Sequence, residues 1–113
     1  MQQTLRVELE SFTFVLLRRP PDAPDYPDPQ IEEIQAGHLA NLARLRERGV
    51  LLLAGPFSDQ RDESLRGLCI FCCGIEETRS LMADDPAVLA GRLAADVMTW
   101  STPAGSLRRL SAS

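Results

Sequence analysis

The sequence contains no lysine, and it has only one histidine, one tryptophan and one tyrosine among its 113 residues. Without a lysine amine, the chain cannot form a Schiff base or hold a phosphate group with a lysine. No basic run exceeds two residues and the formal net charge is −4, so we expect no nucleic-acid partner. No apolar run reaches the roughly 18 residues of a membrane-spanning helix, so we expect no membrane partner either.

Cysteine is scarce and clustered, because Cys69, Cys72 and Cys73 all lie in one apolar segment. In a strand, the two cysteines of the C-x-x-C pattern at 69–72 point to opposite faces. The single histidine offers no complete ligand set, so we expect no metal site. The three cysteines cannot all pair within the chain, and the first residues lack the pattern of an export signal. We therefore expect buried thiols and a cytoplasmic location.

The apolar pattern and the turn residues predict one domain over residues 12–102, with an N-terminal arm at 1–11 and a flexible tail at 103–113. The predicted elements are a strand at 12–20, a helix at 30–48, strands at 50–57 and 65–74, a helix from 75 to 91 interrupted at Asp85-Pro86, and a strand at 93–102. The proline-rich segment at 20–30 is expected to form an extended surface loop. Its prolines are incompatible with a calcium loop built on its aspartates.

This order predicts an α+β domain of the ferredoxin-like split βαβ type, with strands and helices in the order β-α-β-β-α-β. The short polar connection at 59–64 favours a hairpin between the middle strands, and therefore an antiparallel sheet. The first strand is apolar on both faces, but two helices can cover only one of them. We therefore expect a second copy of the chain on the open face, giving a homodimer of the dimeric α+β barrel type.

His38 occupies an apolar stripe of the helix at 30–48, four residues from both Ile34 and Leu42. It could be a partly buried histidine that donates to a backbone carbonyl. It could equally be a general acid or base, because the unperturbed pKa of imidazole lies near neutral pH. The helical pattern does not decide between these two interpretations.

Asp85 precedes Pro86, which is typical of the N-cap of a helix with proline at its first position. The alternative role is to hold the His38 ring and fix its tautomer, as the carboxylate of a catalytic dyad does. The two roles are compatible, since a carboxylate has two oxygens. Asp84 is a weaker candidate for the same role.

Four further residues are candidates for substrate binding. Gly55 and Pro56 end the second strand, where a tight turn could form a pocket wall. Arg18 and Arg66 lie at strand ends, and either guanidinium could hold a substrate carboxylate, although each could also be a solvated edge residue.

Four segments, together with Trp100 in the last strand, carry a resemblance to a known family: FVLLRRP (14–20), HLANLARLRERGVLLLAGPF (38–57), LRGLCIF (65–71) and MADDP (82–86). Over about residues 12–100, the sequence resembles the YCII-related (YciI-related) domain family. The resemblance implies a ferredoxin-like domain that dimerises, and it implies a His–Asp pair that matches His38 and Asp85. Some members of the family are chloromuconolactone dehalogenases. The proline-rich segment and the cysteine-rich third strand depart from the family pattern.

The leading hypothesis is therefore an enzyme without cofactor that acts on a small carboxylated or lactone substrate. In it, His38 moves a proton next to a carbonyl, as a lyase, dehalogenase or isomerase would. The second hypothesis is a homodimeric module that binds or senses a small ligand without turnover. A third is a monooxygenase dependent on haem or oxygen, which shares the dimeric architecture.

Overall fold

The structure, a computed structural model, describes residues 6–107. In chain order its elements are β1 (Leu9–Arg18), α1 (Asp28–Glu47), β2 (Leu51–Pro56), β3 (Leu65–Phe71), α2 (Ile75–Ala83), α3 (Pro86–Leu89) and β4 (Ala94–Pro103). The four strands form one antiparallel sheet in the order β2-β3-β1-β4. The α+β fold predicted from the sequence is confirmed.

Helices α1, α2 and α3 cover one face of this sheet. The core on that face combines alternate residues of the strands with the inward side chains of the helices. Its buried members are Val15, Leu17, Leu45, Leu51, Cys69, Phe71, Met82, Ala87 and Leu93. The alternation of β1 therefore points Thr13, Val15 and Leu17 towards the helices.

The other face of the sheet has no element over it among residues 6–107. Cross-strand pairing places eight apolar side chains on this outer sheet face: Phe12, Phe14, Leu16, Leu53, Leu68, Ile70, Met98 and Trp100. The rings of Phe12 and Trp100 are paired across β1 and β4, with centroids 6.5 Å apart.

The helical segment at 75–91 is interrupted before Pro86, as expected, and forms α2 and α3. Strand β1 begins at Leu9, so three residues assigned to the N-terminal arm pair with β4 instead. Residues 104–107 form a turn after β4. Residues 1–5 and 108–113, which contain the rest of the expected arm and most of the expected tail, lie outside the described residues. Within the described part, no helix is both long and apolar enough to cross a membrane.

Candidate active site

A cavity of about 280 Å³ opens where α1 meets the ends of β1, β2 and β3. Side chains of α1 form one wall, and the segment from α3 to the start of β4 adds Ala87, Arg92 and Leu93. The strands contribute Leu17, Cys69 and the Ala54-Gly55-Pro56 segment. The lining is mainly apolar with a few polar groups, as is usual in small-molecule sites.

His38 lies in this cavity wall on the buried face of α1. His38, Asn41 and Leu45 are the buried residues of the helix, and their spacing of three, four and seven places them on one stripe. His38 is 6% exposed, so only a small part of its ring is accessible to solvent. The helix thus holds the imidazole against the protein interior while leaving one edge at the cavity.

The ring is held by Asp85, which is completely buried. Nδ1 of His38 lies 3.0 Å from Oδ1 and 2.9 Å from Oδ2 of that carboxylate. Asp85 is also the N-cap of α3, since its Oδ2 accepts from the backbone amides of Ala87 at 3.0 Å and Val88 at 3.4 Å. The two roles considered for Asp85 are therefore combined in one side chain.

Asn41 completes the surroundings of the carboxylate. Its Nδ2 donates to Oδ1 of Asp85 at 2.8 Å, and its own Oδ1 accepts from Nη2 of Arg44. Sequence reasoning did not single out Asn41. The signal available was its position three residues after His38, on the same buried stripe of the helix.

These contacts determine the charge of Asp85. Burial alone would raise the pKa of the carboxyl, but the hydrogen bonds from His38 and Asn41, the charge on His38 and the Ala87 amide act in the opposite direction. The balance lowers the pKa of Asp85 below its ordinary value of 3.8. Asp85 is therefore an anion at neutral pH and accepts the proton of Nδ1, so that Nε2 is the ring nitrogen left without a bond to the carboxylate.

Nε2 faces the cavity. It has no hydrogen-bond partner among residues 6–107. Every buried side-chain nitrogen or oxygen in that range does have a partner, so Nε2 is not fully buried. Because His38 lines the cavity, this second ring nitrogen is accessible from it. A ring nitrogen in a fixed position is thus presented to any molecule bound there, as proton transfer by a histidine requires.

Glycine lets the chain approach itself closely at the other end of the cavity. A Cβ at Gly67 would lie 2.6 Å from the carbonyl oxygen of Gly55, so β2 and β3 could not pair as they do with a side chain there. Gly55 and Pro56 line the cavity as part of β2. It is Gly67, and not Gly55, that must lack a side chain, because a Cβ at Gly55 would meet open space.

The two candidate arginines are placed differently. Arg66 lines the cavity, is exposed, and donates from Nη1 to the Glu63 carbonyl at 3.3 Å. Arg18 lies outside the cavity, because it follows Leu16 on the outer sheet face, where its Nε pairs with Asp96 at 2.7 Å.

Two arginines that sequence reasoning missed, Arg19 and Arg92, line the cavity. The signal for Arg19 was its position two residues after Leu17 in an alternating strand, which places both on the helix-covered face.

The thiols have no evident chemical role. Burial, with a contribution from the nearby Asp85 charge, raises the pKa of Cys69 to about 12, so this thiol of the cavity wall stays protonated. All three cysteines are free, but only Cys69 is buried as expected. Cys72 is exposed and Cys73 is partly buried, because both follow the end of β3. Within residues 6–107, no three side chains of the histidine, cysteine, aspartate and glutamate types are grouped so as to hold a metal ion.

The fold and the site define a ferredoxin-like α+β domain with a buried His–Asp pair beside a small cavity. The chain belongs to the YCII-related domain family, whose model matches residues 13–101. Its fold is similar to the structure of 5-chloro-2-hydroxyhydroquinone dehydrochlorinase from Burkholderia phenoliruptrix AC1100, determined in complex with 2,5-dihydroxybenzoquinone. The similarity has a TM-score of 0.56 and 21% sequence identity, and covers 79% of this chain and 92% of the other. A search of curated proteins finds no match.

Proposed function

We propose that this protein is a cofactor-independent enzyme in which His38 transfers a proton to or from a small substrate bound in the cavity. The observation that carries the proposal is that the two nitrogens of the imidazole ring have different surroundings. Nδ1 is committed to the Asp85 carboxylate at 2.9 Å, while Nε2 has no partner among the described residues and faces the cavity. Asp85 orients the ring and stabilises the imidazolium that forms when Nε2 accepts a proton.

The reaction best suited to this arrangement is an elimination or isomerisation next to a carbonyl group. Nε2 removes a proton from the substrate, and the electron pair left behind forms a new double bond conjugated with the carbonyl. In an elimination, a leaving group such as chloride departs with its bonding pair, and the imidazolium then releases its proton to water. In an isomerisation, the same proton returns to another atom of the substrate. Neither route needs more than one placed base and a means of holding the substrate.

The comparison with a dehydrochlorinase of the same fold supports a lyase or dehalogenase over other classes, and its bound dihydroxybenzoquinone indicates the size of molecule to consider. Arg66, Gly55 and Pro56 are the cavity residues that we assign to substrate contact. We place the protein in a reducing cytoplasm, because its three cysteines are free and cannot all pair within the chain.

The active form that we propose is a homodimer built on the outer sheet face. Met98 and Trp100 on that face are 42% and 38% exposed in the single chain, and its central residues are apolar. The ion pair of Arg18 and Asp96 lies towards one end of the face. An apolar centre with charges at the edge is the usual composition of a dimer interface.

The test is chloride release from 5-chloro-2-hydroxyhydroquinone and from chlorinated lactones, compared between the wild type and His38→Asn. The asparagine amide can still donate to Asp85 but has no counterpart of Nε2. We expect kcat/KM to fall by about 10²- to 10⁴-fold, the usual contribution of a general base. The melting temperature should change little.

Arg79→Gln is the matched control, because Arg79 is exposed and paired only with Glu76 on α2, and its activity should equal that of the wild type. Saturable binding of these compounds without release of chloride by the wild type would support the ligand-binding module instead. Equal turnover by His38→Asn would remove the role of the imidazole.

A further inference from the structure

Arg19 and Arg92 line the cavity without an acidic partner. The ion pairs of the described residues join Arg18 to Asp96, His38 to Asp85 and Arg79 to Glu76, and neither cavity arginine takes part in them. Both are instead held by backbone carbonyls. Nε of Arg19 donates to the Arg92 carbonyl at 3.2 Å, and Nη1 of Arg92 donates to the Pro24 carbonyl at 3.1 Å. A guanidinium has five N–H donors, so each keeps most of them available for a ligand.

The surroundings of Arg19 disfavour its positive charge. Burial, followed by the charges of Arg92 and Arg66, lowers the pKa of Arg19. Like charges held together in a partly desolvated wall repel one another, and a bound anion relieves that repulsion. Asp85 does not supply this anion, because its oxygens already accept from His38, Asn41 and the α3 amides.

The proline-rich loop holds this part of the wall in position. Besides the Pro24 carbonyl that accepts from Arg92, the hydroxyl of Tyr26 donates to the Ala90 carbonyl at 2.8 Å. Gly91 lies so close to the loop that a Cβ there would be 3.2 Å from Cδ of Pro24. Proline restricts the backbone of the loop, so Arg92 is supported by a stiff segment.

We propose that Arg19 and Arg92 form a site for a carboxylate group, so that the substrate of this enzyme is a small organic anion. Both residues line the same cavity, and a guanidinium can offer two N–H donors to the two oxygens of one carboxylate, which is the geometry that arginine recognises best. Arg66, nearer the opening, adds attraction for the approaching anion. This inference rests on the proposed function, because the same cavity contains Nε2 of His38, but binding of an anion can be measured without turnover.

The experiment is calorimetric titration of the full chain with maleate, a small planar dicarboxylate, and with its uncharged dimethyl ester. We expect maleate to bind and the ester to show no binding. Arg19→Gln and Arg92→Gln should each weaken maleate binding by roughly 10- to 100-fold, the usual effect of losing a hydrogen bond between charged groups. Arg79→Gln, which removes an exposed arginine of α2, should bind like the wild type.

Three further variants distinguish a failure of this proposal from loss of catalysis and from misfolding. His38→Asn should keep most of the affinity for maleate even if it has lost all turnover, and absence of turnover in the wild type leaves the binding result intact. If either glutamine variant melts early, Arg19→Lys and Arg92→Lys replace it, and they should retain part of the affinity because they keep the charge. Failure of the wild type to bind millimolar maleate, or equal binding by the Arg19 and Arg92 variants, would overturn the proposal.

Discussion

At the scale of single residues, the main feature is that one carboxylate serves both structure and chemistry. Asp85 caps α3 through its Oδ2 and holds the His38 ring through both oxygens. An N-cap aspartate contributes about 0.5–2 kcal/mol to stability on its own. Any change at Asp85 therefore alters both the proposed activity and the free energy of unfolding, and the two effects must be separated by the choice of variant.

Asp85→Asn makes this separation, because asparagine is also a good N-cap but has no charge. We expect it to lower the free energy of unfolding at neutral pH by about 1–3 kcal/mol, since the hydrogen bond from His38 loses its charged acceptor. The pKa of Asp85 is lowered in the folded state, so the stability it contributes is fully present above the unfolded value of 3.8. That contribution is lost as the pH falls through the lower, folded-state pKa.

The measurement is urea unfolding of the wild type and Asp85→Asn at several pH values between about 2 and 7. The difference between the two proteins should decrease as the pH falls below 3.8. Asp84→Asn is the neighbouring control, because Asp84 is exposed and its substitution should change stability by less than about 0.5 kcal/mol. A difference that does not depend on pH would mean that the Asp85 charge does not stabilise the fold.

The parts of the site that a local pattern could predict are those with a sequence signature. His38 interrupts an apolar stripe, and Asp85 precedes a proline, so both could be identified from the sequence. Asn41 could not, because a polar residue on a helix identifies its partner only once α1 and α3 are packed together. Sequence reasoning named Arg18 and did not name its neighbour Arg19 for a related reason. Alternation separates them onto two faces, but which face the helices cover is a property of the whole sheet.

At the scale of secondary-structure elements, the pairing of β2 with β3 shapes the far end of the cavity. Gly67→Ala would place a Cβ 2.6 Å from the Gly55 carbonyl oxygen, which is backbone and cannot rotate away. The two strands would have to separate, at a cost of about 1–3 kcal/mol, as is typical of overpacking.

Gly55→Ala is a matched control for this change, because a Cβ there meets no atom within 4 Å. Chemical unfolding of the three proteins checks the prediction. Gly67→Ala should be clearly destabilised and Gly55→Ala should differ little from the wild type. If both substitutions have the same effect, the close approach of the two strands is not what requires glycine at position 67.

The existence and order of the elements could be predicted from the sequence, whereas several of their ends could not. The first strand starts at Leu9 and not at residue 12, because Leu9 pairs with Pro103 at the far end of the chain. No local pattern shows such a contact. Helix α1 starts at Asp28, two residues earlier than expected, since Pro29 fits the first turn, where a missing N–H costs nothing. Prolines taken as the end of a loop are here the beginning of a helix.

At the scale of the whole molecule, the outer sheet face is the largest feature that the single chain leaves unexplained. A stable dimer interface of standard size covers about 800 Å² on each partner, and its centre is depleted of charge. The eight apolar side chains of this face come from all four strands, and the charged Arg18 and Asp96 lie towards one end of it. An apolar surface of this kind on a monomer would favour aggregation. Association of two copies through this face, as proposed above, would explain why β1 is apolar on both sides.

Met98→Glu tests this association, because Met98 lies on the outer sheet face, midway along β4, and pairs with Phe14 of β1. Its side chain is 42% exposed in the single chain, so the monomer should tolerate glutamate. In the dimer the carboxylate would be buried without a partner, which costs several kcal/mol. By light scattering coupled to gel filtration, the wild type should have twice the chain mass of 12.5 kDa, and Met98→Glu should have the mass of one chain.

Leu89→Glu is the control, since Leu89 is 71% exposed on α3 and its variant should remain dimeric. A monomeric wild type, or a Met98→Glu variant that stays dimeric, would show that the outer sheet face is not the interface.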